Sequence, residues 1–299
     1  MAGWSFVISS TFSRSRTTKA SLGPPSDCRS SNPECPRLKA LERELGAKLF
    51  VRGPAGVTLS PAGEALRPHA RETLDAAGAA KDAVNATLGE VRGTVTVGTL
   101  TSISPIDIPT LLVDFHARHP KVVVHLRAAS AGSAGLFRQL RDGDLDLAFL
   151  ACTGAPPPDL HARLVASVPL LLVVPADHRL AQRDSVALAD LAEMSFVDGP
   201  PGYGNRAVVD NAFAAAGVER TVAVEVADIG TAATYIRNGL GVGILGQFTP
   251  DDINGSGLET VDIADYDLQW RLFVARSATR SPSAAAHALL ELIEEFILR

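Results

Sequence analysis

The sequence predicts an α/β protein: a small helix-and-hairpin head and a long helix, then a two-lobed body on mostly parallel sheet. Three observations carry this. From Arg92 onward, strand-like and helix-like segments alternate, which places helices on both faces of a mostly parallel sheet. That stretch runs to about 200 residues, long for one sheet. A late strand and a terminal helix return to its first half, leaving two lobes and a cleft. Before Arg92, two leucine- or alanine-spaced helical segments flank a pair of short β segments.

Residues 1–37 have neither helical nor strand periodicity; rich in Ser, Thr, Arg, Pro and Gly, they read as an irregular arm. Order begins at Leu38. Leu38, Leu41, Leu45 and Leu49 fall at helical spacing, with Lys39, Glu42, Arg43, Glu44 and Lys48 on the other faces. Gly46 interrupts the pattern. Phe50–Arg52 and Val57–Leu59 read as strands around the turn Gly53-Pro54-Ala55-Gly56. Ser60 is an N-cap and Pro61 suits the first helical position of a helix reaching about Glu90. Its stripe of Ala70, Leu74, Ala77, Val84 and Leu88 has the spacing of a helix seam, and Pro68 should kink it. In the body, strands are expected at Thr94–Gly98, Val122–Arg127, Leu145–Leu150, Leu170–Val174, Val222–Val226, Val242–Leu245 and Gln269–Ala275. Helices are expected at Ile106–Arg118, Ser133–Arg141, Asn205–Ala216, Ile229–Asn238 and Ser283–Leu298.

The charge is unevenly placed. Of 28 basic and 33 acidic side chains, residues 1–52 hold 9 and 4, net +5, leaving 19 and 29, net −10, for the rest. A basic head on an acidic body suits a polyanion at one end only. No apolar run reaches the ~20 residues of a membrane span, and the short Trp4–Ile8 patch has no basic residue before it, so no signal peptide is read. Cys28, Cys35 and Cys152, odd in number and scattered, fit a reducing cytoplasm rather than a disulfide framework. Cys28 and Cys35 have no histidine nearby, and His116, His119, His125, His161 and His178 make no metal-ligand spacing, so neither a metal nor a cofactor is expected.

Leu41-Glu42-Arg43-Glu44-Leu45-Gly46-Ala47-Lys48-Leu49-Phe50-Val51-Arg52 followed by Leu59-Ser60-Pro61-Ala62-Gly63 resembles the LExxLGxxLFxR…LTxAG signature of the LysR-type transcriptional regulators. Gly93–Gly98, Phe115–Pro120, Leu140–Ala148 and Gly239–Ile244 also fit that family, so the resemblance covers about 38–299. It implies a remnant winged helix-turn-helix at 38–60 and a dimerising linker helix at 61–90. Over 91–299 it implies an effector domain like the type 2 periplasmic binding proteins, with lobe I about 91–165 and 268–299 and lobe II about 166–267. The partners implied are double-stranded DNA, a small-molecule effector and a second copy of the chain, as homodimer or homotetramer, with no catalysis.

One departure stands out. Where the family has its recognition helix, this chain has Pro24-Pro25-Ser26-Asp27-Cys28-Arg29-Ser30-Ser31-Asn32-Pro33-Glu34-Cys35-Pro36, whose prolines cannot sit inside a helix. Reading the degenerate code one frame over permits A-A-E-R-L, three variable residues, then Q-P-G-V-S-A, close to the family motif and in register with Leu38. Residues before about Leu38 are therefore expected to be out of frame, which the gene's nucleotides test directly. The alternative function is a ligand-binding dimer that has lost specific DNA recognition.

Arg52 beside the hairpin turn either reaches a phosphate or the minor groove or is a solvated hairpin residue. Lys39, Arg43 and Lys48 are either further DNA contacts or, alternating with Glu42 and Glu44, a salt-bridged exposed face. The long helix is either a dimer seam, which would match a palindromic operator, or packs on its own domain. Thr99, Thr101 and Ser102 follow the first body strand and Ser130 the next. They are either ordinary turn and cap groups or contacts for a small anion such as a carboxylate, since ligands bind beyond the carboxyl ends of strands. The resemblance favours the second and adds Gly202, Tyr203, Thr231 and Gln247 on the opposite side. Few charges stand at these positions, which excludes a strongly basic ligand. Gly241–Gly246 matches GxGxxG, but a helix precedes it and a strand follows, the reverse of a nucleotide site, so it reads as a helix C-cap entering a strand. Ala131-Gly132-Ser133-Ala134-Gly135 superficially matches a nucleophile elbow, but no His forms a triad and Ser133 reads as a helix cap.

Overall fold

The computed structural model describes residues 36–53, 56–86, 91–100, 105–246 and 257–298. The arm before Pro36 lies outside them, as do 101–104 and 247–256, which hold Thr101, Ser102 and Gln247.

The head comprises α1 (Pro36–Leu45), β1 (Phe50–Gly53), β2 (Gly56–Leu59) and the first turns of α2 (Pro61–Ala86). Leu38, Leu41, Leu49 and Phe50 form its core. The helical spacing read through Leu49 stops at Leu45, which is 39% exposed. Leu49 reaches the core through the turn after Gly46 instead. Glu42 corrects a second expectation: it is 7% exposed, not part of a solvated face. Its Oε1 accepts from Leu49 N (2.9 Å) and its Oε2 from Lys48 Nζ (2.8 Å), so it ties α1 to the strand entrance. Burial by itself would raise this carboxyl; the Lys48 ammonium and the Leu49 N–H outweigh it and hold it below the ordinary glutamate range. A lowered folded-state pKa gives stability present above the unfolded value and lost as pH falls through the folded one. Glu42→Gln is therefore expected to cost the head about 1 kcal/mol at neutral pH. The difference from the parent should vanish on acidification, as read by melts followed at head amides.

β1 and β2 pair antiparallel, Phe50 opposite Leu59 and Arg52 opposite Val57. Ser60 caps α2 as expected: its Oγ accepts from Gly63 N (3.0 Å) and donates to the Lys48 carbonyl. α2 is 26 residues, about 39 Å long at 1.5 Å per residue, with Pro68 inside it. Ala70 is buried, Leu74 half-buried, Ala77 exposed and Val84 64% exposed.

The first lobe is a five-stranded sheet in the order β4-β3-β5-β13-β6, formed by β3 (Gly93–Thr99), β4 (Val122–Ala128), β5 (Leu147–Ala151), β6 (Leu160–Pro169) and β13 (Gln269–Ser277). β4, β3 and β5 run parallel; β13 is antiparallel to both β5 and β6, so the sheet is mixed where a mostly parallel one was expected. β5 is buried on both faces. Leu147 and Phe149 join the core under α3 (Ile108–Arg118) and α7 (Ala284–Ile297). Ala148 and Leu150 face Leu136 and Leu140 of α4 (Gly132–Arg141). This two-sided burial is why the segment reads as a continuous apolar run.

The second lobe orders its sheet β11-β7-β12-β8, from β7 (Leu171–Pro175), β8 (Ser185–Val186), β11 (Gly243–Leu245) and β12 (Leu258–Ile263). A parallel pair, β9 (Ser195–Asp198) with β10 (Thr221–Glu225), joins through a bridge between Phe196 and Val242. Helices α5 (Gly204–Ala216) and α6 (Ile229–Arg237) complete it. The chain crosses between lobes twice, and Leu170 N donates to Leu268 O (2.8 Å) where the crossings meet. β6 stays paired with β13 as far as Pro169, beyond the expected boundary at 165. Four strands (β6, β8, β9, β12) were not read in the sequence. β8 has only two residues and β9 four, and β6 alternates exposed polar positions without a continuous apolar signal.

Candidate functional site

The cleft holds a cavity with about 620 Å³ of empty volume, partly open to solvent, lined from both lobes. Leu100 and Trp270 come from the first lobe. Gly199, Tyr203, Asn205, Val226, Ile229, Ala232 and Leu245 come from the second. The walls are largely apolar. Asn205 supplies an amide, whose Nδ2 donates to Ile244 O (2.9 Å) and is thereby oriented in the first turn of α5.

Of the residues expected to meet a ligand, Tyr203 lines the cavity. Gly202 stands beside it in an exposed turn. Thr99 is 8% exposed at the end of β3, next to Leu100, and its Oγ1 donates to Leu100 O (3.2 Å). Ser130 is exposed in the β4–α4 loop and does not line the cavity. Thr231 does not line it either, because its N and Oγ1 both donate to the Asp228 carboxylate that caps α6 (2.8 and 2.9 Å). Sequence reasoning missed Asn205, Trp270 and the apolar wall of Val226, Ile229 and Leu245. The signal open to it was position alone: Asn205 opens a predicted helix and Trp270 lies in the predicted late strand.

Ser133 does not cap a helix; Ala131 holds that position. Ser133 is 2% exposed, and its Oγ accepts from Ala151 N (2.9 Å), locking α4 to the end of β5. Cys152 follows on the same edge, half-buried, and burial pushes its thiol pKa up against the pull of Arg271. A raised thiol pKa disfavours the thiolate needed for nucleophilic chemistry. Gly239 ends α6 and a strand follows, in the order expected for the GxGxxG run.

The cleft floor is held by charge. Asp198 ends β9 at 2% exposure. Its Oδ1 accepts from Gly199 N (2.6 Å) and its Oδ2 lies 2.7 Å from Arg220 Nη2. Arg206 donates to Gly199 O (3.0 Å) and pairs with Asp210 (2.8 Å) and Glu225 (3.2 Å). The network thus grips Gly199, a cavity residue, on both sides of its backbone.

In the head, Lys39 and Arg43 are exposed on α1. Lys48 is exposed but ion-paired with Glu42. Arg52 lies in β1 beside the hairpin turn, its side chain outside the described residues.

A sheet-and-helix body with two lobes, two crossings and a lined cleft defines a small-molecule sensor domain of the periplasmic-binding-protein class, here carried behind a helical head. Residues 88–297 match the LysR substrate binding domain family. The chain is 36% identical over 211 residues to the HTH-type transcriptional regulator ShiR of Corynebacterium glutamicum, covering 69% of this chain and 70% of that one. A full-length OxyR variant from Pseudomonas aeruginosa superposes with a TM-score of 0.66 at 23% identity, covering 87% of this chain and 83% of that one. The effector binding domain of QuiR in complex with shikimate superposes with a TM-score of 0.60 at 18% identity, covering 69% of this chain and 97% of that one. The chain belongs to the LysR family of transcriptional regulators.

Proposed function

We propose that this regulator binds double-stranded DNA as a homodimer or homotetramer in the cytoplasm. Its grip on the DNA responds to a small-molecule effector, a carboxylate among the candidates, held in the cleft, and no catalysis is involved. The observation that carries this is the cavity lined by Leu100 and Trp270 from one lobe and Tyr203 and Asn205 from the other. A ligand there touches both lobes and so binds different lobe arrangements with different affinity, as a population shift requires. The shikimate complex of QuiR supports a small organic acid. The exposed stripe of α2 beyond Leu74, with Val84, supports a helix seam between copies.

Two measurements test the reading. A panel of small carboxylates, shikimate included, is screened by thermal shift. A cleft ligand at 100 times its Kd stabilises by about 2.7 kcal/mol. Trp270→Ala and Asn205→Ala should abolish the shift without unfolding the chain, and a retained shift in both removes the cleft from the mechanism. A gel shift on the chain's own upstream DNA then examines operator binding, with Arg52→Ala weakening it at the phosphate or minor-groove contact. The prolines at 24, 25, 33 and 36 favour the second reading, a ligand-binding dimer without specific DNA recognition. That reading predicts the thermal shift but no specific gel shift.

A further inference from the structure

The helix that leaves the head does not merely pass the body. Arg67 of α2 reaches the loop that ends α4. Its Nη2 lies 3.0 Å from Asp142 Oδ1 and its Nη1 4.0 Å from Asp144 Oδ2, with the Glu64 carboxylate 3.5 Å from Nε. Arg67 and Asp142 are 22% and 19% exposed, so the pair is shielded from water on most sides. The loop moves with the helix, because Asp142 N donates to Arg138 O and Asp144 N to Gln139 O, both at 2.8 Å.

The other end of α4 touches the opposite lobe. Ala134 N donates to Gly202 O (3.2 Å). Gly132 has φ +55°, and a Cβ there would sit 2.8 Å from both Gly202 O and Tyr203 Cδ2. A side chain would therefore force the backbone apart or strain it. Tyr203 in turn lines the cavity. One rod of ten residues, about 15 Å long, rests on the cleft turn at its N-terminus and on the linker helix at its C-terminus.

We propose that α4 is a strut carrying movement of the Gly202–Tyr203 turn to the linker helix, and that the Arg67 ion pair with Asp142 and Asp144 is the contact through which it acts. Ser133 Oγ and the buried Leu136 and Leu140 hold α4 on β5, so it does not slide alone but tilts with that strand, and a shift at its N-terminus is delivered at its C-terminal loop. Asp146 fixes the pivot: its N donates to Thr96 O (2.9 Å) and its Oδ2 accepts from Thr96 N (2.7 Å), holding the start of β5 on β3. The strut supplies a route for the regulator reading and rests on it for its purpose alone.

Hydrogen–deuterium exchange of the full chain, with neither DNA nor effector present, tests the coupling. Gly132→Ala should speed exchange in 200–205 and also in 64–70, the latter by about fivefold, the change expected for losing one shielded ion pair. Arg67→Gln should speed 64–70 to the same degree and, because coupling is reciprocal, speed 200–205 as well. In the Arg67→Gln background, Gly132→Ala should add nothing in 64–70. Exchange in 64–70 that ignores Gly132→Ala while 200–205 loosens overturns the strut. So does a fully additive double variant. Should Gly132→Ala fail to fold, Tyr203→Ala, which removes the ring packed on Gly132, carries the same expectations. Since no ligand or DNA enters, failure here leaves the gel-shift and thermal-shift results standing, and their failure leaves this one.

Discussion

In Arg220→Ala, the melting temperature of the two-lobed body is expected to fall by about 10 °C. Deleting one partner of a buried ion pair costs about 3–5 kcal/mol, and each kcal/mol moves a domain of this size by about 2–4 °C. Arg220 and Asp198 are 5% and 3% exposed at their side chains, with 2.7 Å between the charged atoms. The guanidinium also pairs with Asp210 and lies over the rings of Phe196 and Phe213, at 5.2 and 5.4 Å from their centroids. Its Nε and Nη1 are buried and have no hydrogen-bond partner among the described residues. Truncation leaves the Asp198 carboxylate buried, with Arg206 Nε at 3.9 Å as the cation still near it among the described residues.

The pH dependence has a definite sign. Burial lifts the Asp198 carboxyl above the usual aspartate range even against Arg220 and Arg206. A folded-state pKa above the unfolded one gives stability that is complete below the unfolded pKa and lost as pH rises through the folded value. Arg220→Ala removes the largest opposing charge, so the variant should be hurt more at about pH 8 than at about pH 5. Asp198→Asn in that background should flatten the difference and recover part of the loss. Equal melting of Arg220→Ala at both pH values would show that the carboxylate is not what the arginine compensates.

Gly63→Ala has the second large effect. A Cβ on Gly63 would stand 2.2 Å from Leu49 O and 3.0 Å from Leu59 Cδ2. The Leu49 carbonyl cannot retreat freely, because it accepts from Ser60 N (2.9 Å) at the hairpin exit. Overpacking of this kind costs about 1–3 kcal/mol, occasionally more. The described head core of Leu38, Leu41, Leu49 and Phe50 is small, so a loss of that size should unfold it. Exchange across 38–60 should rise toward the unfolded rate while the body's melting temperature stays in place. A head that keeps its protection would mean that α2 can shift along the hairpin without cost.

How far the sequence could be read depended on the range of the forces involved. The hairpin, the Ser60 cap and the α2 start were legible because each is decided within a few residues: a turn, a capping hydroxyl, a proline at the first helical position. The buried strand β5 was legible because both its faces are apolar. Glu42 was misread for the opposite reason. Its place four residues after Leu38 puts it on the leucine face, unlike Glu44, but its partners, Leu49 N and Lys48 Nζ, become adjacent only once the chain turns at Gly46, so nothing local shows what would satisfy a buried carboxylate there. In the cleft, Tyr203 could be named through the family resemblance, whereas Trp270 meets it only because two crossings bring a strand from near the C-terminus beside β5.

By itself the sequence determined the order of head, long helix and alternating body, and the family to which they belong, since these follow from local periodicity and motif spacing. Only the tertiary structure decided that the sheet is mixed, that Asn205 and Trp270 share a cavity, and that Asp198 is buried against Arg220. Each depends on which segments lie side by side after the chain crosses between lobes, where desolvation and long-range packing, unseen by any short window of residues, set the energy.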